Sequence, residues 1–185
     1  MDPTALLVID IQNDYFPGGR CELENPLEAA GQARKVMEAF RAKKLPVIHF
    51  RHESIRPGAD FLLADTPGNE IHELAQPQPG EIVYPKHFPN CFRETPLLNH
   101  LRETGIQKLV LVGMMTFMCV HATARAAGDL GFSCIVLHDA TASRAITFNG
   151  LTVPAAQVQA AFHGALAWAY AEIVGTDAYL KRLER

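Results

Sequence analysis

Short, uninterrupted apolar runs recur along the chain, and they constrain its fold more than any other feature of the sequence. Six of them stand out: ALLVI, PVIHF, EIVYP, KLVLVGM, SCIVLH and EIVGT. Strands in which apolar residues do not alternate with polar ones are typical of a sheet that is covered on both faces. The runs therefore predict a buried, mostly parallel sheet of about six strands.

Segments with helical spacing lie between these runs. Asn25-Pro26 has the pattern of a cap followed by a first-turn proline, Thr95-Pro96 repeats it, and Pro154 opens the longest candidate helix. The alternation of strands and helices predicts an α/β fold, a three-layer Rossmann-like sandwich. With 185 residues, of which 48% are hydrophobic, we expect a single domain over residues 1–185 with a sizeable core.

Two longer segments interrupt this alternation. HESIRPGADFLLADTPGNEIHELAQPQPGE, residues 52–81, is rich in proline and is predicted to be a long excursion after the second strand. SRAITFNGLTVPAA, residues 143–156, is predicted to be a second loop. Loops of this length are often functional, and lids are a common case.

Charge and motif content exclude several classes of protein. The formal net charge of -3 gives no electrostatic reason to expect a nucleic acid or an anionic membrane as partner. No apolar run is long enough to cross a bilayer, and no glycine-rich nucleotide-binding motif is present. We therefore expect a small-molecule substrate and no cofactor.

The cysteines and the first residues of the sequence bear on the compartment. Four cysteines (Cys21, Cys91, Cys119 and Cys134) are scattered without a close pair, unlike a disulfide framework or a zinc ribbon. The first residues, MDPTALLVID, show no basic leader and no small-residue cleavage site. Together these features predict a reduced, cytoplasmic protein.

Three chemically active residues follow predicted strands. Asp10 comes after ALLVI, Lys86 comes after EIVYP, and Cys119 lies shortly after KLVLVGM. Ligands of parallel α/β sheets bind beyond the carboxyl ends of the strands, so these side chains are candidates for one site. A thiol beside a cation and near a helix N-terminus is expected to have a depressed pKa, and a nearby carboxylate could exchange its proton.

Each of the three residues also has a purely structural interpretation. Asp10 could cap a loop, Lys86 could be a solvated lysine, and Cys119 could be a small buried hydrophobe, as Cys134 is expected to be. Spacing along the chain leaves these alternatives open.

The sequence around these residues resembles a known superfamily. ALLVIDIQNDYFPGG, YPKHFPNCFRETPLLNHL and LVGMMTFMCVHATARAAGDLGFSCIVLHDATAS are similar to the signatures of the isochorismatase-like cysteine hydrolases, which include nicotinamidases and other amidases. The similarity continues through AFHGALAWAYAEIVGTDAYL and so covers essentially the whole chain. It implies the isochorismatase-like hydrolase fold.

The resemblance also implies a mechanism. Asp10, Lys86 and Cys119 match the catalytic triad of the superfamily, in which the cysteine attacks an amide carbonyl, a thioester forms, and water releases the acid. The superfamily has a cis peptide bond before the nucleophile, which corresponds here to Met114–Met115. That bond would direct the backbone N–H of Met115, together with that of Cys119, at a developing oxyanion.

The metal ligands of nicotinamidases are the point at which this sequence departs from the resemblance. Nicotinamidases carry Asp-x-His after the second strand, whereas Arg51 and Glu53 occupy those positions here. Because an arginine does not bind a cation, the sequence predicts no metal site. His49 and His52 stay open either as ligands or as core, hydrogen-bonding or pocket residues.

Further expectations concern the substrate pocket and the assembly. Tyr15, Phe16, His52 and Phe148 are candidates for the pocket wall. Arg51 would give the pocket a positive bias and a preference for a carboxylate or another acceptor. The apolar final helix, and the frequency of oligomers in the superfamily, predict a homo-oligomer, a dimer or larger.

Three functions remain in competition at this point. The leading hypothesis is a metal-independent cysteine hydrolase that cleaves a C–N bond of a small amide. The second is enol-ether cleavage of the isochorismate type, whose true members lack the cysteine. The third is a non-hydrolytic redox or ligand-binding protein that uses Cys119 as a reactive thiol.

Overall fold

A computed structural model describes residues 3–184. Strand and helix alternate in it as the apolar runs predict. The strands are β1 (Thr4–Ile9), β2 (Val47–His52), β3 (Ile82–Lys86), β4 (Lys108–Met114), β5 (Ser133–Ala142), β6 (Ile146–Phe148), β7 (Leu151–Val153) and β8 (Glu172–Val174). The helices are α1 (Pro26–Ala42), α2 (Leu97–Glu103), α3 (His121–Asp129), α4 (Ala155–Ala169) and α5 (Thr176–Leu183).

Six of the strands form one sheet in the order β3-β2-β1-β4-β5-β8, and every pairing in it is parallel. The prediction of a three-layer α/β sandwich with a six-stranded sheet is therefore confirmed. Within residues 3–184, no helix has both the length and the apolar character needed to span a bilayer.

Both faces of the sheet are buried, which explains why its strands are continuously apolar. Leu6 and Val8 of β1 pack into a core shared with α1 and α5, whereas Leu7 and Ile9 point into a second core. The second core is completed by α2, α3 and Leu166 of α4. The four central strands thus need apolar side chains at successive positions, whereas the edge strands β3 and β8 are only partly buried.

The helix-start signals locate the helices but not their capping contacts. Helix α1 begins at Pro26, yet Asn25 takes a left-handed conformation (φ 54°) and its side chain makes no capping hydrogen bond. Helix α2 begins at Leu97, where the Thr95 hydroxyl accepts a hydrogen bond from the Leu97 N–H at 3.3 Å. Pro26 is the first residue of α1, whereas Pro96 and Pro154 directly precede α2 and α4, so each proline marks the start of its helix to within one residue.

The second predicted loop contains regular structure. Strands β6 and β7 pair antiparallel, with Phe148 opposite Leu151. Asn149 and Gly150 form the two-residue connection, and both have positive φ (50° and 77°). This is the Asn-Gly hairpin turn, whose twist matches that of the flanking strands.

Candidate active site

Asp10, Lys86 and Cys119 meet at the carboxyl edge of the sheet. Asp10 follows β1, Lys86 ends β3, and Cys119 lies in a π-helical turn, Thr116–Val120, between β4 and α3. The Lys86 ammonium is 2.7 Å from an Asp10 carboxylate oxygen and 3.3 Å from Cys119 Sγ. All three side chains are buried, with residue exposures of 0%, 1% and 4%. The structure thus brings together the three residues that the sequence singles out.

Lys86 holds this cluster through four contacts. Besides Asp10 and Cys119, its Nζ lies 3.0 Å from His52 Nδ1 and 3.1 Å from the Phe88 carbonyl oxygen. Burial alone would lower the pKa of Lys86, but its interactions in the cluster, that with the Asp10 carboxylate foremost, outweigh burial and raise that pKa. Lys86 therefore stays an ammonium.

The pKa of Cys119 differs from the sequence-based expectation. Burial raises the pKa of the thiol well above its ordinary value, and the Asp10 carboxylate raises it further, while Lys86 lowers it by less. The expectation of a depressed pKa is therefore wrong, because it considered the cation and the helix but not burial or the carboxylate. The resting state has a neutral thiol beside a carboxylate.

The turn that carries Cys119 depends on the end of β4. Gly113 has a φ of 121°, and a Cβ built there would come within 2.0 Å of the Ile9 carbonyl oxygen. The Met114–Met115 peptide bond that follows is cis, as the resemblance implies. Only glycine fits the close approach of β4 to β1 at this point.

Residues of α4 hold the same turn from the other side. The Thr116 hydroxyl, which is buried, lies within hydrogen-bond distance of Gln159 Oε1 and is 3.0 Å from the Ala142 carbonyl oxygen. Gln159 Nε2 donates to the Thr141 carbonyl at 3.1 Å, and the Thr141 hydroxyl is 3.1 Å from His163 Nε2. These contacts fasten α4 and β5 to the Cys119 turn.

Cys119 opens into a cavity of about 470 Å³. Its wall is largely apolar. Among the lining residues there is one arginine, Arg56 on the excursion, and no lysine, aspartate or glutamate. The lining residues are Tyr15, His52, Ser54, Ile55, Arg56, Pro57, Ala59, Phe61, His87, Phe88, Pro89, Met115, Met118 and Cys119. Two of the predicted pocket residues, Tyr15 and His52, are among them.

The structure places the other three predicted pocket residues outside this cavity, which corrects those assignments. Phe16 is buried against His72, with ring centroids 3.6 Å apart. Arg51 is exposed and lines a separate depression, because successive side chains of β2 point to opposite sides and His52 takes the inward position. Phe148 stands on the β6–β7 hairpin with 84% of its surface exposed.

The two histidines left open by the sequence have different surroundings. His49 is buried, and its Nε2 lies 2.9 Å from a carboxylate oxygen of Glu81, which also pairs with Arg41. This makes His49 part of a polar contact between α1, β2 and the end of the excursion. His52 instead faces the candidate active site.

Asp10, His52 and Cys119 also form a potential metal-binding group, since one donor atom from each lies within 4.8 Å of the others. The Lys86 ammonium, however, is already in contact with all three, at 2.7, 3.0 and 3.3 Å. A metal ion bound there would face an adjacent fixed positive charge. The donor set is therefore better matched to the ammonium than to a metal.

Sequence reasoning missed the residues that position His52. Gln12 Oε1 accepts from the His52 N–H at 2.8 Å, and Gln12 Nε2 donates to the His52 carbonyl at 2.9 Å. Asn69 Nδ2, from the excursion, donates to the same carbonyl at 2.7 Å. The polar residues of IDIQND, directly after a buried strand, were the available signal.

Asp14 ties the excursion to the turn that follows β1. Its buried carboxylate accepts hydrogen bonds from the Leu62 N–H at 2.6 Å and the Arg20 N–H at 3.2 Å. Gly68 approaches so closely that a Cβ there would lie 2.1 Å from the Asp14 carboxylate. The excursion is thus packed over the site by specific polar contacts.

Comparisons with known proteins agree with this architecture. The sequence profile of the isochorismatase domain matches residues 4–177. YddQ, an uncharacterized isochorismatase family protein of Bacillus subtilis, is 45% identical over 178 residues, which cover 96% of this chain and 99% of that protein. Nicotinamidase 3 of Arabidopsis thaliana is 32% identical over 158 residues, 78% of this chain and 74% of that protein.

A solved structure leads to the same conclusion. The crystal structure of a protein from Oleispira antarctica, provisionally assigned as an isochorismatase hydrolase, matches with a TM-score of 0.93 at 47% identity and covers 97% of both chains. The chain therefore belongs to the isochorismatase family of hydrolases.

Proposed function

We propose that this protein is a cysteine hydrolase that cleaves a C–N bond of a small amide through a thioester on Cys119. The observation that carries the proposal is the contact of Lys86 with both Asp10 and Cys119, of which Cys119 lines the cavity. A carboxylate, an ammonium and a thiol in this arrangement supply a base, a fixed positive charge and a nucleophile.

The proton moves between sulfur and carboxylate in this mechanism. As Sγ attacks the acyl carbon, Asp10 accepts the thiol proton and then donates it to the leaving nitrogen, so that ammonia or an amine departs. Asp10, again ionised, accepts a proton from the water that attacks the thioester. It returns that proton to Sγ as the C–S bond breaks, so that the acid leaves and the thiol is restored. Lys86 stays protonated and in contact with both groups throughout.

Backbone groups are proposed to stabilise the oxyanion. Met115 and Cys119 both line the cavity, and Met115 caps the turn that carries the nucleophile. Their N–H groups are the candidate donors to the acyl oxygen as it gains charge. Donors of this kind, fixed before the reaction, each contribute roughly 10²–10³ in rate in well-studied hydrolases.

The cavity supports amide chemistry better than either alternative. Enol-ether cleavage in the isochorismate-cleaving members proceeds without the cysteine, whereas Cys119 here is in contact with a cation beside a carboxylate. A redox role would call for a second cysteine at the same cavity, and Cys119 is the one cysteine among its lining residues.

Charge at the cavity bears on metal use and on substrate preference. Lys86 occupies the position between the potential ligands, so we propose that the enzyme is metal-independent and retains activity after exhaustive chelation. Arg56 takes over the positive bias assigned to Arg51 from the sequence. A neutral or anionic amide with an apolar body fits this wall better than a cationic one.

The decisive experiment is a screen of small amides for ammonia release. We expect Cys119→Ala to lower turnover to background and Cys134→Ala to retain it, because Cys134 is buried elsewhere on β5. Ammonia release that persists in Cys119→Ala would contradict the proposal. Pyruvate release from isochorismate would identify the enol-ether alternative instead.

Two broader proposals concern the assembly and the compartment. The outward face of α4 is unusually apolar, and Trp168 on it is 91% exposed. We propose that this face is buried between copies of the chain in a homo-oligomer. All four cysteines are unpaired, which supports a reducing, cytoplasmic location.

A further inference from the structure

The contact with Lys86 determines which nitrogen of the His52 imidazole carries the proton. Lys86 carries only donor hydrogens, so its contact with His52 Nδ1 at 3.0 Å makes that nitrogen the acceptor. The proton of the neutral ring must then lie on Nε2. The ring stays neutral because burial lowers the pKa of His52 to about 4, and the nearby positive charge of Lys86 contributes to this.

The Nε2–H of His52 is available to a ligand. It has no hydrogen-bond partner among residues 3–184, and it is not one of the fully buried unpaired atoms. His52 lines the cavity, and one of its ring nitrogens lies within 4.8 Å of Cys119 Sγ. The contacts of Gln12 and Asn69 to its backbone fix the residue from both sides.

A second histidine of the same wall has the opposite pattern. His87 Nδ1 lies 3.0 Å from the Glu53 carbonyl oxygen, which can only accept, so Nδ1 carries the proton. In the neutral His87 ring, Nε2 is therefore an acceptor. In their neutral forms the two imidazoles of the cavity wall are therefore opposite tautomers, and His52 is the one whose Nε2 carries a proton.

We propose that His52 Nε2–H is a fixed hydrogen-bond donor to the substrate, and that the substrate accordingly carries a second oxygen acceptor beside the scissile carbonyl. This inference rests on the proposed hydrolase function. The scissile oxygen itself is assigned to the backbone donors of the Cys119 turn. His52 is not a base in this arrangement, since Nδ1 is engaged by Lys86 and Nε2 is protonated.

The tautomers can be tested without any substrate. Long-range ¹H–¹⁵N spectra of the ¹⁵N-histidine-labelled protein at neutral pH should show His52 protonated at Nε2 and His87 at Nδ1. His52→Gln and His87→Gln assign the two rings by loss of their signals. A proton on His52 Nδ1, or a charged His52 ring, would overturn the proposal.

The contribution to binding can be tested with two aldehydes of similar shape, butanal and methoxyacetaldehyde, which differ by an ether oxygen in place of a methylene. Each would form a reversible thiohemiacetal, in which Sγ bonds to the aldehyde carbon and the thiol proton moves to its oxygen. Protection of Cys119 from iodoacetamide measures the affinity. The ratio of the two affinities is compared between protein variants, so the different intrinsic reactivities of the two aldehydes cancel.

The preference is the ratio of the affinity for methoxyacetaldehyde to the affinity for butanal. This ratio should be about tenfold higher in the wild type than in His52→Phe, which is the effect of one hydrogen bond. His52→Gln keeps an N–H and should keep the preference, as should His100→Gln on α2, outside the cavity. Equal preferences in the wild type and His52→Phe would refute the donor role. Failure of both aldehydes to protect Cys119 would instead count against the proposed nucleophile.

Discussion

Replacing Lys86 by methionine tests whether the buried charge cluster is as tightly coupled as its geometry indicates. The side chains of Lys86 and Asp10 have no solvent exposure and lie 2.7 Å apart. Lys86→Met would leave the Asp10 carboxylate buried without its counter-charge, and it would also remove the donor to His52 and to the Phe88 carbonyl. Breaking one partner of such a pair costs about 3–5 kcal/mol of unfolding free energy.

The loss of stability in Lys86→Met can be measured in two ways. For a chain of this length, each kcal/mol corresponds to about 2–4 °C in Tm, so Lys86→Met should melt about 6–20 °C below the wild type. Urea denaturation followed by circular dichroism gives the free energy independently. We expect every variant of the pair to lose activity, so the measurement concerns stability alone.

A double-mutant cycle separates the ion pair from simple loss of packing. Asp10→Asn/Lys86→Met removes both charges, so its destabilisation should be smaller than the sum of the single variants by about 2 kcal/mol or more. Arg34→Met is the matched control, because Arg34 pairs with Glu38 at 2.9 Å on the surface of α1 and should matter by about 0.5 kcal/mol or less. A loss below about 1 kcal/mol in Lys86→Met, or strict additivity in the double variant, would refute the reasoning.

Three other predictions follow from the same structure. Limiting iodoacetamide should label Cys119 before the other cysteines, because Cys119 alone among them lines the cavity. Labelling of Cys119 should become faster as pH rises, because burial raises the pKa of its thiol. Mass spectrometry that finds Cys91 labelled first would contradict the expected order. Burial alone would raise the pKa of Glu81, but hydrogen bonds from Arg41, a backbone N–H and His49 lower it to about 2. This folded-state pKa lies below the ordinary glutamate pKa of 4.5, so the stabilisation is present above pH 4.5 and is lost as pH falls toward 2. Glu81→Gln should flatten that part of the stability profile measured by denaturation. Light scattering at micromolar concentration should show an oligomer that Trp168→Glu weakens, and a monomeric wild type would exclude the proposed assembly face.

The sheet and the alternation of strands and helices along the chain could be predicted because they depend on local composition. Unbroken apolar strands require cover on both faces, and that requirement alone implies helices on either side of a parallel sheet. The β6–β7 hairpin was predictable as well, since Asn149-Gly150 is a strong two-residue turn signal, but the segment, which includes Pro154, was predicted to be a loop. Here a specific turn motif was outweighed by general composition.

Part of the candidate site could be predicted from the sequence, and part of it could not. Residues at strand ends converge because the sheet brings the strand ends together, which is why Asp10, Lys86 and Cys119 meet. Arg51 and His52 are neighbours in sequence, yet only one of them can face the cavity, because side chains alternate along β2. Choosing between them requires knowing which side of β2 faces the nucleophile.

The raised pKa of the Cys119 thiol follows from the net charge of the buried cluster. With a carboxylate, an ammonium and a neutral thiol, the resting triad carries no net charge, whereas a thiolate beside an ionised Asp10 would leave an unbalanced negative charge away from solvent. Transfer of the proton from sulfur to Asp10 keeps that net charge at zero, since the carboxylate is neutralised as the thiolate forms. Burial therefore opposes a free thiolate but not the internal transfer, and it is the transfer that the proposed attack on an amide uses.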